Sequence, residues 1–480
     1  MERKELRAIE VALNTSKYIT RGLMNMKKTL LKTVSISLVT MMMLASCSEE
    51  KKESGASQVR IWTGDTGSRA YFETVVDEFN KTTGKENGIE VIYEAKENLG
   101  DAMTIALETN QAPEMFMTGD VAEYSEQGYI VAIDDLPGGK ELVEAKKDFL
   151  IEGKQMYNGK TYSIPFAAQT YGLIYNKDMF KEAGIVDENG EAKPPVTYEE
   201  VREYAKKMTD LKNNKFGIVL PLKWGAWFGV DVMTCGSVNA GHIGYDYTTG
   251  EYDHSYLKPA MEMVMGIKED KSYMPGAEGL DNDPARARFA EGNIGMKFGV
   301  SWDVGVLNDQ FPAKCDWGVA PLPVADINDA YCQKLDINTG LKISQNGIDN
   351  VGAEKVMLVY NWFVSDETSK KLYELGANIP LNADVIASAD TSKFKKGWAE
   401  FAAMVDISKV YPATPATDIT GETDITANFM NNVWTGKMSI DDAVANENKI
   451  RTEGLKKYKE LHPEYDSEKF IIPDWDCKIK

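Results

Sequence analysis

From Gln58 onward, the sequence alternates between strand-like and helix-like apolar patterns, and this alternation constrains the fold more than any other feature. Gln58–Trp62 is a short strand-like run, Ala70–Asn80 repeats apolar side chains with the helical period, and Ile89–Tyr93 alternates as a strand does. A strand, a helix and a second strand in this order are typical of a parallel sheet covered by helices. The sequence therefore predicts an α/β fold.

A second α/β unit begins after a connection that has no helical pattern. Two strand-like runs, Gly159–Phe166 and Gly172–Phe180, are joined directly through Ala167–Tyr171, which suits a chain crossing between two domains. Thr197 and Glu200 then have the spacing of a capping box, which predicts a helix over Tyr198–Met208. With 480 residues, the chain is long enough for about two or three domains.

The strand pattern also locates candidate binding residues. Open α/β sheets place ligand-binding groups on the loops beyond the carboxyl ends of their strands. This rule selects Trp62–Asp65, Glu94 and Thr118–Asp120. For Asp65 and Asp120 the alternative is an ordinary helix N-cap.

The N-terminal region reads as a secretion signal. Met26-Lys27-Lys28 is followed by an apolar stretch over Leu30–Met43 and then by Leu44-Ala45-Ser46-Cys47. The last four residues resemble a lipobox, in which the cysteine receives a diacylglyceryl group and becomes the first mature residue. We expect residues 1–46 to comprise an upstream extension and a signal peptide that starts at Met26, and residues 47–57 to form a polar tether. The alternative is a short buried helix with a chance cysteine.

Composition excludes several classes of function. The net charge of -20 repels nucleic acid and anionic lipid surfaces, so we expect no nucleic-acid partner. The remaining cysteines, Cys235, Cys315, Cys332 and Cys477, are too few for a disulfide scaffold, although either a Cys315–Cys332 bridge or free thiols would be compatible with the sequence. The three histidines are scattered and no CxxC motif occurs, so we expect neither a metal site nor a cofactor.

Several short segments, taken in order, resemble the family-1 extracellular solute-binding proteins of ABC transporters. The resemblance runs through most of residues 58–460. Its strongest pieces are the strand ending at Trp62, Ala112–Phe116, Gly159–Pro165, Leu173–Phe180 with Ala183-Gly184, Ala287–Met296, Asp316–Pro323 and Gly436–Ala443. Each piece alone is weak, and their shared order carries the resemblance.

The resemblance implies a two-lobe periplasmic-binding-protein-like fold of type II, with a ligand cleft between lobes joined by hinge segments. We expect lobe 1 at residues 58–166 plus 335–390 and lobe 2 at residues 167–334 plus 391–480. It also implies a monomer that is anchored to the cell membrane through lipid at Cys47, binds a carbohydrate by closing its lobes, and delivers it to ABC permease subunits.

The resemblance, together with the need of a sugar site for aromatic faces and short polar groups, selects the candidate ligand residues. These are Trp62, Asp65, Asp120, Gln169, Tyr171, Trp224, Trp227 and Trp302. Gln169 stands where sugar binders of the family often present an acid, so this chain departs there in charge. Trp224 and Trp227 follow a strand in a loop that offers no helical face to cover, and core packing is the alternative for every tryptophan.

Other functions fit the sequence less well. The chain has no GxSxG elbow, no HExxH motif and no P-loop lysine, so we expect no enzyme, although a glycosidase pair of Asp65 with Asp120 is not excluded by sequence. A polyamine or a peptide is the alternative ligand, and a co-receptor without a transport role is the alternative function.

The signal at the N-terminus makes a direct prediction. Replacing Cys47 by Ser removes the thiol that would carry the lipid, so the variant should move from the membrane fraction to the supernatant. Fractionation of cells followed by immunoblotting measures this. A Cys315→Ser variant serves as the control and should stay with the membrane; membrane association of Cys47→Ser that still needs detergent would contradict the lipobox interpretation.

Overall fold

The computed structural model describes residues 55–65 and 68–479. The predicted signal, Cys47 and most of the tether lie outside the described residues, as do residues 66–67 in the loop after the first strand. The fold below is that of the unit Ser57–Lys480. In the described part of the chain, no helix combines the length and the apolar character needed to cross a membrane.

Two mixed sheets form the centres of two lobes. Their nine strands are β1 Ser57–Thr63, β2 Ile89–Ala95, β3 Met115–Phe116, β4 Ser163–Ile164, β5 Tyr171–Asn176, β6 Phe216–Ile218, β7 Ile294–Val300, β8 Trp317–Ala320 and β9 Leu341–Ile343. The first sheet has the order β2-β1-β3-β9-β4 and the second has the order β8-β5-β7-β6. The two-lobe α/β fold predicted from sequence is confirmed, whereas the residue boundaries predicted for the lobes stay predictions.

Helices pack on these sheets. Those of eight or more residues in the described ranges are α1 Arg69–Lys81, α2 Leu99–Glu108, α3 Gly139–Lys146, α4 Tyr198–Met208, α5 Lys258–Glu269, α6 Asn282–Ala290, α7 Ala353–Phe363, α8 Asp366–Glu374 and α9 Ile440–Leu461. Shorter α-helices include Thr83–Asn87, Val121–Glu126, Lys177–Glu182, Gln345–Val351, Ala383–Ala387, Trp398–Ala403 and Ile425–Asn428. In the same described ranges, three π-helical segments occur at Phe228–Thr234, Val306–Gln310 and Phe429–Val433.

The opening β1-α1-β2 unit confirms the prediction made from periodicity. Strands β1 and β2 are parallel, with Ile61 opposite Tyr93. Alternate residues of β1 are buried, and α1 covers the sheet with Phe72, Val75, Val76 and Phe79. Because the apolar residues recur every three or four positions, they form one face of the helix, and burial of that face holds the helix on the sheet.

The cap predicted for α4 is also present. Thr197 Oγ1 accepts a hydrogen bond from the backbone N–H of Glu200 at 3.2 Å. The carboxylate of Glu200 accepts from the N–H of Val196 at 2.8 Å, one residue earlier than in a standard capping box. These bonds satisfy donors at the helix start, which is why the helix begins at Tyr198 as predicted.

Short paired segments carry the chain between the sheets. Ala168–Gln169 lies between β4 of the first sheet and β5 of the second, and it pairs antiparallel with Asp336–Ile337, which lies shortly before β9. A further bridge pairs Ala168 with Ile379. The helix-free crossing predicted over Ala167–Tyr171 is therefore confirmed, and its pairing makes it the junction of the two sheets.

The cysteines do not form the bridge that the sequence left open. Cys315 packs with the cluster around Trp317 and is close to Gly292, whereas Cys332 packs with Tyr411 and Cys477. Cys315 and Cys332 therefore belong to different parts of the core, because the segment 316–331 includes β8 and carries the chain from one cluster to the other.

A buried carboxyl couples the stability of this fold to pH. Burial raises the pKa of Asp231 to about 7, against the opposing effect of the Lys297 charge. The unfolded value is about 3.9, so the folded protein holds this proton more tightly than the unfolded chain does. The resulting stabilisation is fully present below about pH 4 and is lost as the pH rises through about 7.

Replacing Asp231 by Asn should remove this dependence. Between pH 5 and pH 8 the group should lower the free energy of unfolding of the parent by about 2–3 kcal/mol, so the variant should gain that much relative to the parent over the same interval. Urea unfolding at both pH values measures the difference, and other titrating groups cancel in it. The exposed Asp101→Asn variant should show no such gain; an equal gain there would contradict the assignment to Asp231.

Candidate functional site

A cleft of about 840 Å³ lies between the two sheets and is lined from both sides. One wall comes from the end of β1, the start of α1 and β2, and its members include Thr63, Gly64, Asp65, Ser68, Tyr71, Phe72 and Tyr93. The other wall comes from the loop after β6 and the region around β7, and its members include Trp224, Asn282, Arg286, Ser301, Trp302, Asp309 and Gln310. The crossing segments, with Ala168, Gln169, Asn338 and Ile379, complete the lining.

The first wall is shaped by the end of β1. Asp65 Oδ1 accepts a hydrogen bond from the backbone N–H of Ser68 at 3.0 Å, which turns the chain toward α1. Thr63 Oγ1 lies 2.7 Å from Tyr93 Oη, and the Tyr93 ring stacks on Phe72 with ring centroids 5.0 Å apart. This wall therefore presents aromatic surface beside one carboxylate.

The second wall presents an indole that protrudes from the surface. Trp302 follows the end of β7 and is 41% exposed, which is unusual for the largest apolar side chain. Trp224 lies in the loop after β6 and is partly buried against the core of the second lobe. Flat aromatic faces of this kind can stack on the C–H faces of a ligand ring.

Beneath Trp302, a buried ion cluster fixes the end of β7. Asp303 is 1% exposed, and its carboxylate accepts from Arg286 Nε at 2.5 Å, from Lys297 Nζ at 3.3 Å and from the N–H of Val300 at 3.0 Å. Arg286 also donates to Asp283 at 2.8 Å. Because Asp303, Arg286 and Lys297 are shielded from water, their bonds hold the turn that carries Trp302 in one conformation.

Polar groups in the cleft remain available for a ligand. Asn282 is 7% exposed and its Oδ1 has no hydrogen-bond partner among the described residues. Gln169 lines the cleft from the crossing strand opposite Asp336. Amide groups of this kind suit hydroxyl groups, since each amide can both donate and accept.

The charges of the lining balance one another. Two acids, Asp65 and Asp309, and two bases, Arg286 and Lys395, line the described part of the cleft. Arg286 is paired as above, and Lys395 Nζ lies 2.5 Å from Asp309 Oδ2 and 3.2 Å from Tyr71 Oη. Lys395 thus joins the two walls, and the cleft as a whole carries no net charge.

Four of the residues predicted from sequence line this cleft, and four do not. Asp65, Gln169, Trp224 and Trp302 are brought together there. Trp62, Asp120, Tyr171 and Trp227 are not among the lining residues. Ligand contact by any of the eight stays a prediction.

Trp62 and Asp120 lie on the first lobe but away from the cleft. Trp62 sits on the face of β1 opposite to Thr63, because successive strand residues alternate between faces. Its indole N–H donates to Glu94, and Lys96 lies 4.0 Å above the ring. Asp120 caps the helix Val121–Glu126 by accepting from the N–H of Glu123 at 2.9 Å, which is the alternative that the sequence left open.

Trp227 and Tyr171 are buried in the second lobe. Trp227 is 1% exposed and directly precedes the π-helical segment Phe228–Thr234, where its ring packs beside Phe228 and Phe429. The segment therefore has a helical face to cover, contrary to the interpretation of it as an open loop. Tyr171 donates its hydroxyl proton to Asp336 at 3.1 Å and so supports the crossing instead of lining the cleft.

Sequence reasoning missed several lining residues. Tyr71, Asn282, Arg286 and Lys395 were not selected, although Arg286 lies just before a segment that carried the family resemblance. The charged Arg286 in a helix with buried neighbours was the one local signal. Lys395 enters from a distant part of the chain, and nothing in its local pattern marks it.

The described residues do not suggest a metal centre. Among them, no group of three or more His, Cys, Asp or Glu side chains is arranged to hold a metal ion.

Comparisons with known proteins agree on one family. A family model described as bacterial extracellular solute-binding protein matches residues 74–403. The maltodextrin-binding protein MdxE of Bacillus subtilis is 24% identical over 434 residues, which cover 85% of this chain and 91% of that protein. The maltotriose-binding protein of Pyrococcus abyssi is also 24% identical, over 57% of this chain and 55% of that protein, so the match spans about half of its length.

Solved structures show the same fold. The GacH receptor of Streptomyces glaucescens matches with a TM-score of 0.63 at 20% identity, covering 86% of this chain and all of that one. A sugar transporter protein of Rhizobium etli in an open conformation matches with a TM-score of 0.60 at 21% identity, covering 84% and 99% respectively.

Proposed function

Since this chain belongs to the bacterial extracellular solute-binding proteins, which are binding proteins of ABC transporters and not enzymes, we propose that it captures an oligosaccharide in the cleft between its lobes. The ligand would be passed unchanged to permease subunits. The observation that carries the proposal is the exposed indole of Trp302, carried by a turn that a buried ion cluster holds, at the wall of a cleft whose lining charges sum to zero.

The first support is the chemistry of the lining. A sugar ring offers apolar C–H faces and hydroxyl groups at its edge, and tight binding requires both to be matched as water leaves. Trp302 and Trp224 supply aromatic faces, while Asn282 and Gln169 supply amides. A volume of about 840 Å³ is in the upper part of the range for small-molecule sites, which favours an oligosaccharide over a single sugar ring.

The second support is charge. A polyamine carries several ammonium groups and would need several unpaired acids, but Asp309 is paired with Lys395 and the lining has as many bases as acids. The relatives named for maltodextrin and maltotriose point to the same class of neutral ligand. An oligosaccharide is therefore favoured over the polyamine or peptide alternative.

Location follows from the family and the signal. We propose that Cys47 carries the lipid anchor, that residues 48–57 tether the body outside the cytoplasm, and that the protein works as a monomer. Relatives in Streptococcus pneumoniae are named as solute-binding lipoproteins, which supports this arrangement. A co-receptor for a sensor would use the same body, and loss of oligosaccharide uptake on gene deletion would separate transport from sensing.

The ligand class can be tested by titration. Purified protein is titrated with malto-, xylo- and manno-oligosaccharides and with spermidine, while intrinsic tryptophan fluorescence is followed. At least one oligosaccharide series should change the emission saturably, because the exposed indole of Trp302 would leave water on binding. A saturable response to spermidine alone would overturn the proposal.

The role of Trp302 can be separated from that of a tryptophan outside the cleft. Trp302→Ala should weaken binding of the responding oligosaccharide by about 1–3 kcal/mol, or roughly 5- to 150-fold, since a stacking face is lost. Isothermal titration calorimetry measures the affinity, and circular dichroism checks the fold.

Trp62→Ala is the matched control and should leave the affinity unchanged, because Trp62 lies on the other face of β1. A folded Trp302→Ala variant with parental affinity would count against this site. Weakened binding by Trp62→Ala would indicate that Trp62 also belongs to the binding site.

A further inference from the structure

Two cysteines that are far apart in sequence face one another at the end of the chain. Tyr331 and Lys478 form an antiparallel bridge, which places Cys332 directly opposite Cys477. The N–H of Cys332 donates to the carbonyl oxygen of Cys477 at 2.7 Å, and the N–H of Ile479 donates to the carbonyl oxygen of Ala330 at 3.0 Å. These two hydrogen bonds lie on either side of the Tyr331–Lys478 bridge, and the first of them joins the two cysteines directly, so the register at the cysteine pair is fixed.

This register matches the geometry of a disulfide. Opposite residues of an antiparallel pair have Cα atoms about 5.5 Å apart when they share hydrogen bonds, and their side chains lie on the same face. Disulfides join Cα atoms roughly 4.4–6.8 Å apart. The pair therefore needs a rotation of side chains and little movement of the backbone.

The side chains of this pair share one environment. Cys477 Sγ lies 3.9 Å from Tyr411 Oη and 3.6 Å from the carbonyl oxygen of Gly241. The same Tyr411 hydroxyl donates to the carbonyl oxygen of Cys332 at 2.7 Å. Both cysteines pack in one aromatic cluster, with Cys477 buried and Cys332 partly exposed.

We propose that Cys332 and Cys477 form a disulfide bond in the exported protein and thereby fasten the C-terminal segment to the second lobe. The proposal rests on the proposed location outside the cytoplasm, where such bonds persist. It assigns to these two residues a covalent modification that ligand binding does not require.

The reaction is a thiol–disulfide exchange with a disulfide-bearing oxidant of the cell envelope. The partly exposed Cys332 loses its proton and attacks one sulfur of the oxidant, forming a mixed disulfide and releasing one thiol. Cys477 then loses its proton and attacks Cys332 Sγ, forming the new bond and releasing the second thiol. Two thiols of the protein are oxidised and one disulfide of the oxidant is reduced to two thiols.

Burial makes this exchange slow. Burial raises the pKa of Cys477 to about 11, with a further increase from the nearby Cys332, and burial also raises the pKa of Cys332. Few thiolates are then present at neutral pH, and uncatalysed oxidation is slow because the thiolate is the reactive form.

The bond would add a covalent link to a segment that is otherwise held by non-covalent contacts. The tail is attached by Trp475 Nε1, which donates to Gly241 O at 2.8 Å, and by the N–H of Ile472, which donates to Tyr247 O at 2.7 Å. Phe470 and Ile472 also line a second cavity of about 560 Å³, together with Leu150 and Ile151. Fastening Cys477 therefore fixes one wall of that cavity.

The experiment maps the thiols of the full-length protein isolated from membranes. The protein is denatured and alkylated without reduction, then digested and analysed by mass spectrometry. The expected result is alkylation of Cys235 and Cys315, and a linked peptide that contains Cys332 and Cys477. Alkylation of all four cysteines, or a linked peptide that joins any other pair, would overturn the proposal.

A second arm separates the geometry from the location. The purified full-length protein is reduced and then incubated with oxidised glutathione in the folded state, where the same linked peptide should form. Failure to form it would overturn the geometric inference. If the bond forms with glutathione but protein taken from cells has free thiols at Cys332 and Cys477, the proposed oxidation in the cell would be overturned. That result would count against the proposed location but not against ligand binding.

Variants test the consequence for stability. Cys477→Ser and Cys332→Ser should each lower the melting midpoint of the oxidised protein by at least about 2 °C, because the bond restricts the unfolded chain. In reduced protein, the same variants should melt close to the parent. The matched control Cys315→Ser should keep the bond, so its melting midpoint should still fall on reduction as that of the parent does. If the midpoint of this control no longer falls on reduction, the assignment to Cys332 and Cys477 would be overturned.

Discussion

The pairing of the crossing segments is the interaction on which the rest of the structure depends. Ala168–Gln169 and Asp336–Ile337 join two sheets that otherwise have separate cores. Asp336 is central, since it accepts from Tyr171 Oη at 3.1 Å and lies 3.7 Å from Lys154 Nζ, while Lys154 donates to the carbonyl oxygen of Ile337 at 2.6 Å. Few segments connect the lobes, so rotation about this junction would open or close the cleft at small cost in packed surface, as in hinged binding proteins.

A network of buried charges restrains the second wall of the cleft. In the second lobe, Asp303 gathers Arg286, Lys297 and the backbone of Val300 into a water-shielded cluster directly below Trp302. A buried ion pair adds little net stability, because the desolvation of its charges offsets their attraction, but it favours one conformation of the groups around it. This arrangement presents an aromatic face to the cleft in a fixed orientation, which lowers the entropy lost when a ligand binds.

The balance of charge in the cleft stands apart from the strongly acidic character of the whole chain. The net charge of -20 arises mainly at the surface, whereas the lining pairs Lys395 with Asp309 and Arg286 with Asp303 and Asp283. A neutral solute loses few solvation contacts on entering such a site, while an ion would have to compete with pairs already formed. The acidic surface therefore gives little information about the ligand, whereas the paired charges of the lining favour a neutral solute.

What the sequence determined is what depends on neighbours along the chain. The period of apolar residues set α1 and the strands around it, the capping residues set the start of α4, and the order of short motifs indicated two lobes. Tertiary structure decided which side chains reach the cleft. Thr63 faces it and Trp62 does not, because one residue of strand register reverses the face. Trp227 is part of the core because Phe429 packs against it. Lys395 lines the cleft because of the tertiary fold, and no local sequence pattern marks it. Each of these outcomes depends on partners distant in sequence, whose positions no local pattern records.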